Sequence, residues 1–143
     1  WMAILAMEQY GYYIADGSAA ELVDDMIIEE EGTCILLPYA LIKKKDELPH
    51  TWDVTSDTIA AWVAHKLGSR FIKLTDVDGI FLDGELKKEI FAEELQGKET
   101  CVDAELPRFL MKNKMDCEIL NGNCPGRLAN ALKGKVIGTL IKG

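Results

Sequence analysis

The stretch TWDVTSDTIAAWVAHKLGSRFIKLTDVDGIF, residues 51–81, decides the fold class of this chain. Apolar side chains at helical spacing predict one face of a helix that ends at Gly68: Ile59, Trp62, Val63 and Leu67. Residues 70–75 follow directly as a short strand. Clusters of acid and hydroxyl residues flank this pair, at 53–57 and at 75–79. A helix that leads straight into a strand is typical of an α/β sheet.

The residues before this stretch continue the alternation of helices and strands. Residues 1–16 open with WMAILAM, which is apolar all round and predicts the inside of a longer helix, so we expect further chain upstream. Residues 18–30 indicate a second helix, with Ser18 as N-cap and Glu21 three residues later. The run TCILLPY at 33–39 predicts a buried strand, and residues 41–52 a surface loop.

The last third of the chain has the same organisation. We expect a helix at 104–114, a strand at 117–120, a turn at NGNCPG, a helix at 127–132 and a final strand at 136–141. The sequence contains no repeat, low-complexity tract or linker. Residues 1–143 therefore predict one α/β domain with a doubly wound, mainly parallel sheet.

Composition excludes several classes of function. The net charge of −8, without a basic stripe, argues against nucleic acid as a partner. No apolar run approaches the length of a membrane span, and we expect no signal peptide. The four cysteines lie far apart and form no C-x-x-C, which disfavours a zinc knuckle or a thioredoxin-like site. We expect a cytoplasmic protein with reduced, buried cysteines, and we assign no metal ligands.

The two acidic clusters are candidates for a ligand site, because ligands of open α/β sheets bind at the carboxyl ends of the strands. Asp57 falls in the first turn of its helix, after Thr55 or Ser56 as N-cap, so the free N–H groups of that turn would suit an anionic substrate. Each cluster also has a purely structural interpretation, as a helix cap or as a tight turn. A calcium-binding EF-hand is rejected because its first ligand position would be Leu74, inside a strand.

Other catalytic motifs are absent. The sequence has no G-x-S-x-G, no H-E-x-x-H, no G-x-x-x-x-G-K-[ST] and no complete G-x-G-x-x-G. His50, in the loop before Asp53, is a better candidate for substrate contact than His65, which lies in the middle of a helix.

The stretch DVTSDTIAAWVAHKLGSRFIKLTDVDGIF resembles the D-x-x-x-D-T-x-A-A helix and T-D-V-D-G-V-Y loop of the amino acid kinase superfamily. The tail NGNCPGRLANALKGKVIGTLI is similar to the N-G, P-x-R-L, A-L-x-G and G-T-x-I ending of uridylate and isopentenyl phosphate kinases. The ordered match covers residues 51–141. It implies a three-layer αβα sandwich around a largely parallel sheet, with this chain as its C-terminal, nucleotide-binding portion and the N-terminal strands missing.

The resemblance also implies an activity, the transfer of the γ-phosphoryl of ATP, with Mg²⁺, to a small-molecule carboxylate or phosphate. Asp57 matches the acid that organises the phosphate-handling lysines. We assign four residues to the acceptor: Asp53, Thr55, Ser56 and His50. The loop that holds adenine and ribose is matched by Thr75, Asp76, Asp78, Gly79 and Phe81. The enzymes of this superfamily are usually oligomeric, which implies a homo-oligomer.

Three departures from the family pattern qualify this assignment. The glycine-rich first strand with its lysine is absent from these residues. The G-G-M-x-x-K before the late helix is replaced by CVDAELPRF, which lacks a second phosphate lysine unless Lys98 or Arg108 substitutes. The D-P that commonly follows the nucleotide loop is replaced by DGE at 83–85. We therefore expect this chain by itself to be incomplete and inactive as a catalyst.

The segments WMAILAMEQYG, LLPY, LPHTWDVTSD and VDAELP are most similar to small archaeal kinases of methanofuran biosynthesis, which phosphorylate an aminomethylfuran methyl phosphate. Two other classes of function stay open. One is a nucleotide-binding or storage module that keeps the fold but has lost catalysis, and the changed CVDAELP segment favours it. The other is a structural fragment that associates through the apolar helix at 1–7.

Overall fold

The computed structural model describes residues 1–27 and 32–143. They form two compact units, Trp1–Pro49 and His50–Gly143. That the two units make a single domain stays a prediction. No helix within the described ranges is long and apolar enough to cross a membrane.

The first unit has two helices and two short strands: α1 (Met2–Ala15), β1 (Glu21–Val23), β2 (Cys34–Leu36) and α2 (Pro38–Lys45). The strands pair in parallel, with Glu21 opposite Cys34. A carboxylate of α1 holds the start of α2, because Glu8 Oε1 accepts a hydrogen bond of 2.7 Å from the N–H of Tyr39. Gly11 is buried and permits close packing, since a Cβ there would lie 3.0 Å from Leu37 Cδ2.

Three sequence predictions are wrong in this unit. The cysteines are expected to be buried, but Cys34 is exposed, as is Cys124 in the second unit. The helix predicted over 18–30 is instead a turn followed by β1, and residues 28–30 lie outside the described residues. Ser18 does not cap a new helix, because its hydroxyl donates to the carbonyl of Ala15 and accepts from the N–H of Ala20. The first part of the loop predicted over 41–52 is helical, because it belongs to α2. This helix has Pro38 in its first turn and three lysines in its last turn, where positive charge interacts favourably with the helix dipole.

The second unit contains the elements predicted from residue 51 onward, together with four that are not predicted: α3 (Ser56–Lys66), β3 (Phe71–Thr75), β4 (Phe81–Leu82), β5 (Glu85–Leu86), β6 (Glu89–Phe91), α4 (Ala92–Leu95), α5 (Leu106–Asn113), β7 (Cys117–Asn121), α6 (Pro125–Leu132) and β8 (Gly138–Lys142). Its main sheet has the order β3-β7-β8-β6. The pairs β3–β7 and β6–β8 are parallel, and β7–β8 is antiparallel. The predicted mixed α/β fold with a mainly parallel sheet is confirmed.

The hairpin β4–β5, the strand β6 and the helix α4 are not predicted from the sequence. Asp83 and Gly84 form the hairpin turn with φ values of 53° and 79°. Two positive φ angles suit the tight turn that matches the twist of an antiparallel pair, and Asp-Gly is a preferred dipeptide there. The DGE segment, which departs from the D-P of the family pattern, therefore forms a hairpin turn.

The core of the second unit lies between the sheet and its helices. Its fully or almost fully buried side chains include Ile80, Leu95, Leu106, Leu110, Cys117, Ile119 and Ile141. The helices α3 and α5 pack against each other, as do α4 and α5. This packing places the first turn of α3 beside the residues that precede α5.

Candidate functional site

The carboxyl ends of β3 and β7 meet at one edge of the sheet. Their last residues, Thr75 and Asn121, are partners in the parallel register. The N–H of Gly122 then donates to the carbonyl of Thr75 at 2.7 Å, which extends the pairing into the loops. The acidic turn at 76–79 and the turn at 122–124 therefore leave the sheet side by side, at the edge where α/β proteins bind ligands.

An ion pair joins the first turn of α3 to β3. Lys73 Nζ lies 2.5 Å from Asp57 Oδ2 and 2.6 Å from the carbonyl oxygen of Cys101. The side chains of Lys73 and Asp57 are only 16% and 12% exposed. Asp57 thus holds a lysine of β3, and its predicted role in organising lysines that handle phosphate stays a prediction.

Lys73 is absent from the residues predicted for the site. The signal that could have found it is a lone lysine inside the strand FIKLT, two residues before the acidic turn. A charged residue in a strand of a mainly parallel sheet needs a partner, because burial of an unpaired ammonium is costly. Arg108 does not provide the partner of Asp57, since it pairs with Glu105 at 3.0 Å and its side chain is 73% exposed.

The cap of α3 comes from a distant residue. Thr55 is the N-cap by position, yet its side chain makes no capping bond. The carboxylate of Asp103 instead accepts hydrogen bonds of 2.9 Å from the N–H groups of both Thr55 and Thr58. The expectation that an anionic substrate binds the free N–H groups of this turn is therefore wrong for Thr55 and Thr58, because the carboxylate of Asp103 already binds both N–H groups.

The residues predicted to contact the acceptor lie in the loop before α3 and in its first turn. Thr55 is directed to Asp103, since its hydroxyl donates to that carboxylate at 3.0 Å. The side chains of His50, Asp53 and Ser56 are exposed. The loop is anchored through its backbone, because the carbonyl of Asp53 accepts from the N–H of Glu105 at 3.1 Å.

The predicted nucleotide loop is tied to the turn after β7. Asp78 Oδ1 accepts from Asn121 Nδ2 at 2.9 Å and lies 2.8 Å from Arg127 Nη1. The hydrogen bond from Asn121 lowers the pKa of the Asp78 carboxyl; partial desolvation opposes this shift and the positive charge of Arg127 adds to it. Asn121 and Arg127 belong to the N-G and P-x-R-L segments of the tail, so the ordered motifs meet in space.

The other residues of this loop have different environments. Thr75 donates to Asp76 at 3.3 Å, and the carboxylate of Asp76 is exposed. Phe81 presents a half-exposed aromatic ring. Gly79 is buried with a φ of 148°, and a Cβ there would collide with the hydroxyl of Thr139. The φ angle and the contact with Thr139 therefore require glycine at this position, whether or not a nucleotide binds there.

Comparison with known proteins identifies the family to which this geometry belongs. The model of the amino acid kinase family matches residues 16–121. The chain belongs to the amino acid kinase family. The resemblance inferred from the acidic clusters and the tail is thus confirmed.

Two curated relatives give the scale of the similarity. The [5-(aminomethyl)furan-3-yl]methyl phosphate kinase of Methanocaldococcus jannaschii is 33% identical over 143 residues, which cover 94% of this chain and 66% of the relative. The uridylate kinase of Thermofilum pendens is 29% identical over 105 residues, which cover 62% of this chain and 45% of the relative. The chain therefore spans less than two thirds of the length of either relative.

Solved structures show the same fold. The UMP kinase from Ureaplasma parvum superposes with a TM-score of 0.64 at 18% identity, over 99% of this chain and 70% of that chain. The UMP kinase from Bacillus anthracis gives a TM-score of 0.63 at 15% identity, over 97% of this chain and 65% of that chain. At these identities the likeness establishes the fold alone.

Proposed function

We propose that this chain carries the nucleotide site, and part of the acceptor site, of an ATP-dependent phosphotransferase. The reaction is transfer of the γ-phosphoryl of ATP to a small molecule that presents a carboxylate or a phosphate. The observation that carries the proposal is the largely buried ion pair between Asp57, in the first turn of α3, and Lys73 of β3. Phosphoryl transfer depends mainly on positioning and on neutralisation of charge, and a fixed ammonium group serves both.

Lys73 supplies the positive charge, and Asp57 fixes its direction. A carboxylate cannot neutralise phosphate oxygens, but it can hold a cation that does. An ammonium group has three N–H donors, and the contacts to Asp57 and to the carbonyl of Cys101 use two of them. The third donor is the one that we assign to a phosphate oxygen of the nucleotide or of the transferred group.

The loop at 75–81 suits the nucleoside and its metal. The half-exposed ring of Phe81 can pack against a purine. Within the described residues, no group of three or more His, Cys, Asp or Glu side chains could hold a metal ion. Mg²⁺ typically reaches kinase sites with the nucleotide, bound by phosphates and one or two carboxylates, and the exposed carboxylate of Asp76 fits that donor set. When bound, Mg²⁺ would supply further neutralisation of phosphate charge.

The acceptor is proposed from the relatives. The name of one relative specifies an aminomethylfuran methyl phosphate, and that of another specifies uridylate. Both acceptors carry a phosphate, and the furan compound is our first choice because that relative covers 94% of this chain. Transfer to a phosphate monoester makes a diphosphate, with the γ-phosphorus bonded to an acceptor oxygen and ADP released.

The test has a binding stage and a turnover stage. Mg-ATP is titrated calorimetrically into the chain and into the longest protein that contains it, with folding checked by circular dichroism. Turnover is then measured with three acceptors: the furan phosphate, UMP and N-acetylglutamate. Asp57→Asn should depress turnover and leave nucleotide affinity nearly intact, whereas Asp116→Asn, in an exposed ion pair with Lys142, should change neither.

The outcomes separate the competing functions. Binding with turnover supports the kinase. Binding without turnover on any acceptor favours the nucleotide-binding module, for which the acidic Asp103 and Glu105 in the place of a lysine motif are the supporting observation. If neither folded protein binds Mg-ATP, both the kinase and the nucleotide-binding module are refuted and a structural role remains.

A further inference from the structure

We propose that Asp103 is a positioning residue, which fixes the Asp57–Lys73 ion pair by joining the first turn of α3 to the start of α5. The role deepens the proposed function, since the pair is its charged centre. The inference is carried by the hydrogen bonds that the residues at 101–106 make with α3 and β3.

The carboxylate of Asp103 accepts five hydrogen bonds. Oδ2 accepts from the N–H of Thr55 at 2.9 Å, from the hydroxyl of Thr55 at 3.0 Å and from the N–H of Thr58 at 2.9 Å. Oδ1 accepts from the hydroxyl of Thr58 at 2.6 Å and from the N–H of Leu106 at 2.8 Å. One side chain therefore caps α3 and α5 together.

The same segment holds the ion pair directly. The N–H of Asp103 donates to Asp57 Oδ2 at 3.0 Å, and that oxygen also accepts from Lys73. Two residues earlier, the carbonyl of Cys101 accepts the second hydrogen bond of Lys73. A shift of the segment would therefore move one partner of Asp57 and one partner of Lys73 at once.

The position demands a carboxylate. Each oxygen of Asp103 accepts from at least one backbone N–H, which cannot act as an acceptor: Oδ2 from Thr55 and Thr58, and Oδ1 from Leu106. An asparagine has the same shape but must turn its NH₂ group toward one of the two sets of donors. Asp103→Asn thus leaves without an acceptor either the N–H groups of Thr55 and Thr58 or the N–H of Leu106.

The positioning role can be measured without any assay of catalysis. The folded chain is treated with a limiting amount of acetyl N-hydroxysuccinimide ester, and the acetylation rate of each lysine is read by mass spectrometry. Lys73 is shielded while it contacts Asp57 and Cys101, and Lys142, whose side chain is 36% exposed and pairs with Asp116, is the internal reference. We expect Asp103→Asn to raise the acetylation of Lys73 about tenfold relative to Lys142, which corresponds to about 1.4 kcal/mol lost from the pair.

Two further variants separate positioning from general loss of stability. Ile141→Val removes a methyl group from the core and should leave the ratio of Lys73 to Lys142 unchanged. Thr55→Val keeps the carboxylate and removes one hydroxyl donor, so it should raise the ratio by a smaller factor. If Asp103→Asn does not fold, Thr55→Val decides. An unchanged ratio in the folded variant, or an equal rise in Ile141→Val, overturns the proposal.

A kinetic measurement then connects the residue to the reaction. In the longest protein that contains this chain, Asp103→Asn should lower kcat with little change in the KM for ATP, because the nucleotide loop at 75–81 keeps its contacts. If the proposed kinase function is wrong, that protein shows no turnover, but the acetylation rates of Lys73 still test the positioning role of Asp103. An intact kcat in a variant with released Lys73 would contradict the role in catalysis.

Discussion

The Asp57–Lys73 pair should couple the stability of α3 to that of β3, and a double-mutant cycle can measure the coupling. The variants are Lys73→Met, Asp57→Asn and the double mutant. Unit charges 2.5 Å apart attract by about 6–7 kcal/mol at an effective dielectric constant of about 20, before desolvation is counted. Removal of one partner of a buried pair typically costs about 3–5 kcal/mol, because the other charge is left buried.

The expected values lie at the lower end of this range because each charge keeps a second partner. After Lys73→Met, Asp57 retains the N–H of Asp103, and after Asp57→Asn, Lys73 retains the carbonyl of Cys101. We expect each single variant to lose about 3 kcal/mol in free energy of unfolding. The double mutant should lose about 2 kcal/mol less than the sum of the two, within the range found for residues in direct contact.

Urea denaturation followed by tryptophan fluorescence is the appropriate assay. Trp62 lies in the unit that contains the pair and is 3% exposed, whereas Trp1 and Trp52 are 45% and 88% exposed, so the emission change reports mainly the surroundings of Trp62. The exposed Asp116–Lys142 pair, studied with the same substitutions, should show much weaker coupling. A coupling below about 0.5 kcal/mol for Asp57–Lys73 would refute the structural basis of the proposed charge centre.

Three further predictions concern the nucleotide loop and the cysteines. Asn121→Ala should raise the pKa of Asp78 toward its ordinary value of 3.8, which carboxyl NMR titration would measure. In the unaltered chain, the stabilisation from Asp78 is complete above pH 3.8 and is lost as the pH falls through the lowered pKa. An unchanged pKa in the variant would show that Asn121 is not the main cause of the shift. Gly79→Ala should destabilise the chain by at least about 1–3 kcal/mol in urea, because an alanine would adopt a φ of 148° against Thr139; retained stability would contradict this. Iodoacetamide at pH 8 should modify the exposed Cys34 and Cys124 first. Cys101 should react slowly and Cys117 only after unfolding, because burial raises the pKa of these two thiols. Rapid modification of Cys117 in folded protein, measured by mass spectrometry, would refute this order.

Much of the second unit is predictable from its sequence because the signals are local. The helical spacing before Gly68, the apolar strands and the acidic turn each depend on neighbouring residues. The first unit is less predictable, since Ser18 can either cap a helix or close a turn, and its hydrogen bonds to Ala15 and Ala20 decide for the turn. The short strands β4, β5 and β6 contain too few residues to show a period.

The sequence by itself determined the family and the mixed α/β class, because ordered motifs and periodicity can be recognised without knowledge of contacts. Only the tertiary structure decided which lysine Asp57 holds and which residue caps α3. Lys73 is 16 positions from Asp57, and Asp103 is 45 positions from Thr58. Such pairs form because the parallel strands and the packing of α3 against α5 bring their side chains together. A hydrogen bond requires a distance of about 3 Å in space and sets no limit on how far apart its partners lie in the sequence, so a local sequence pattern does not identify them.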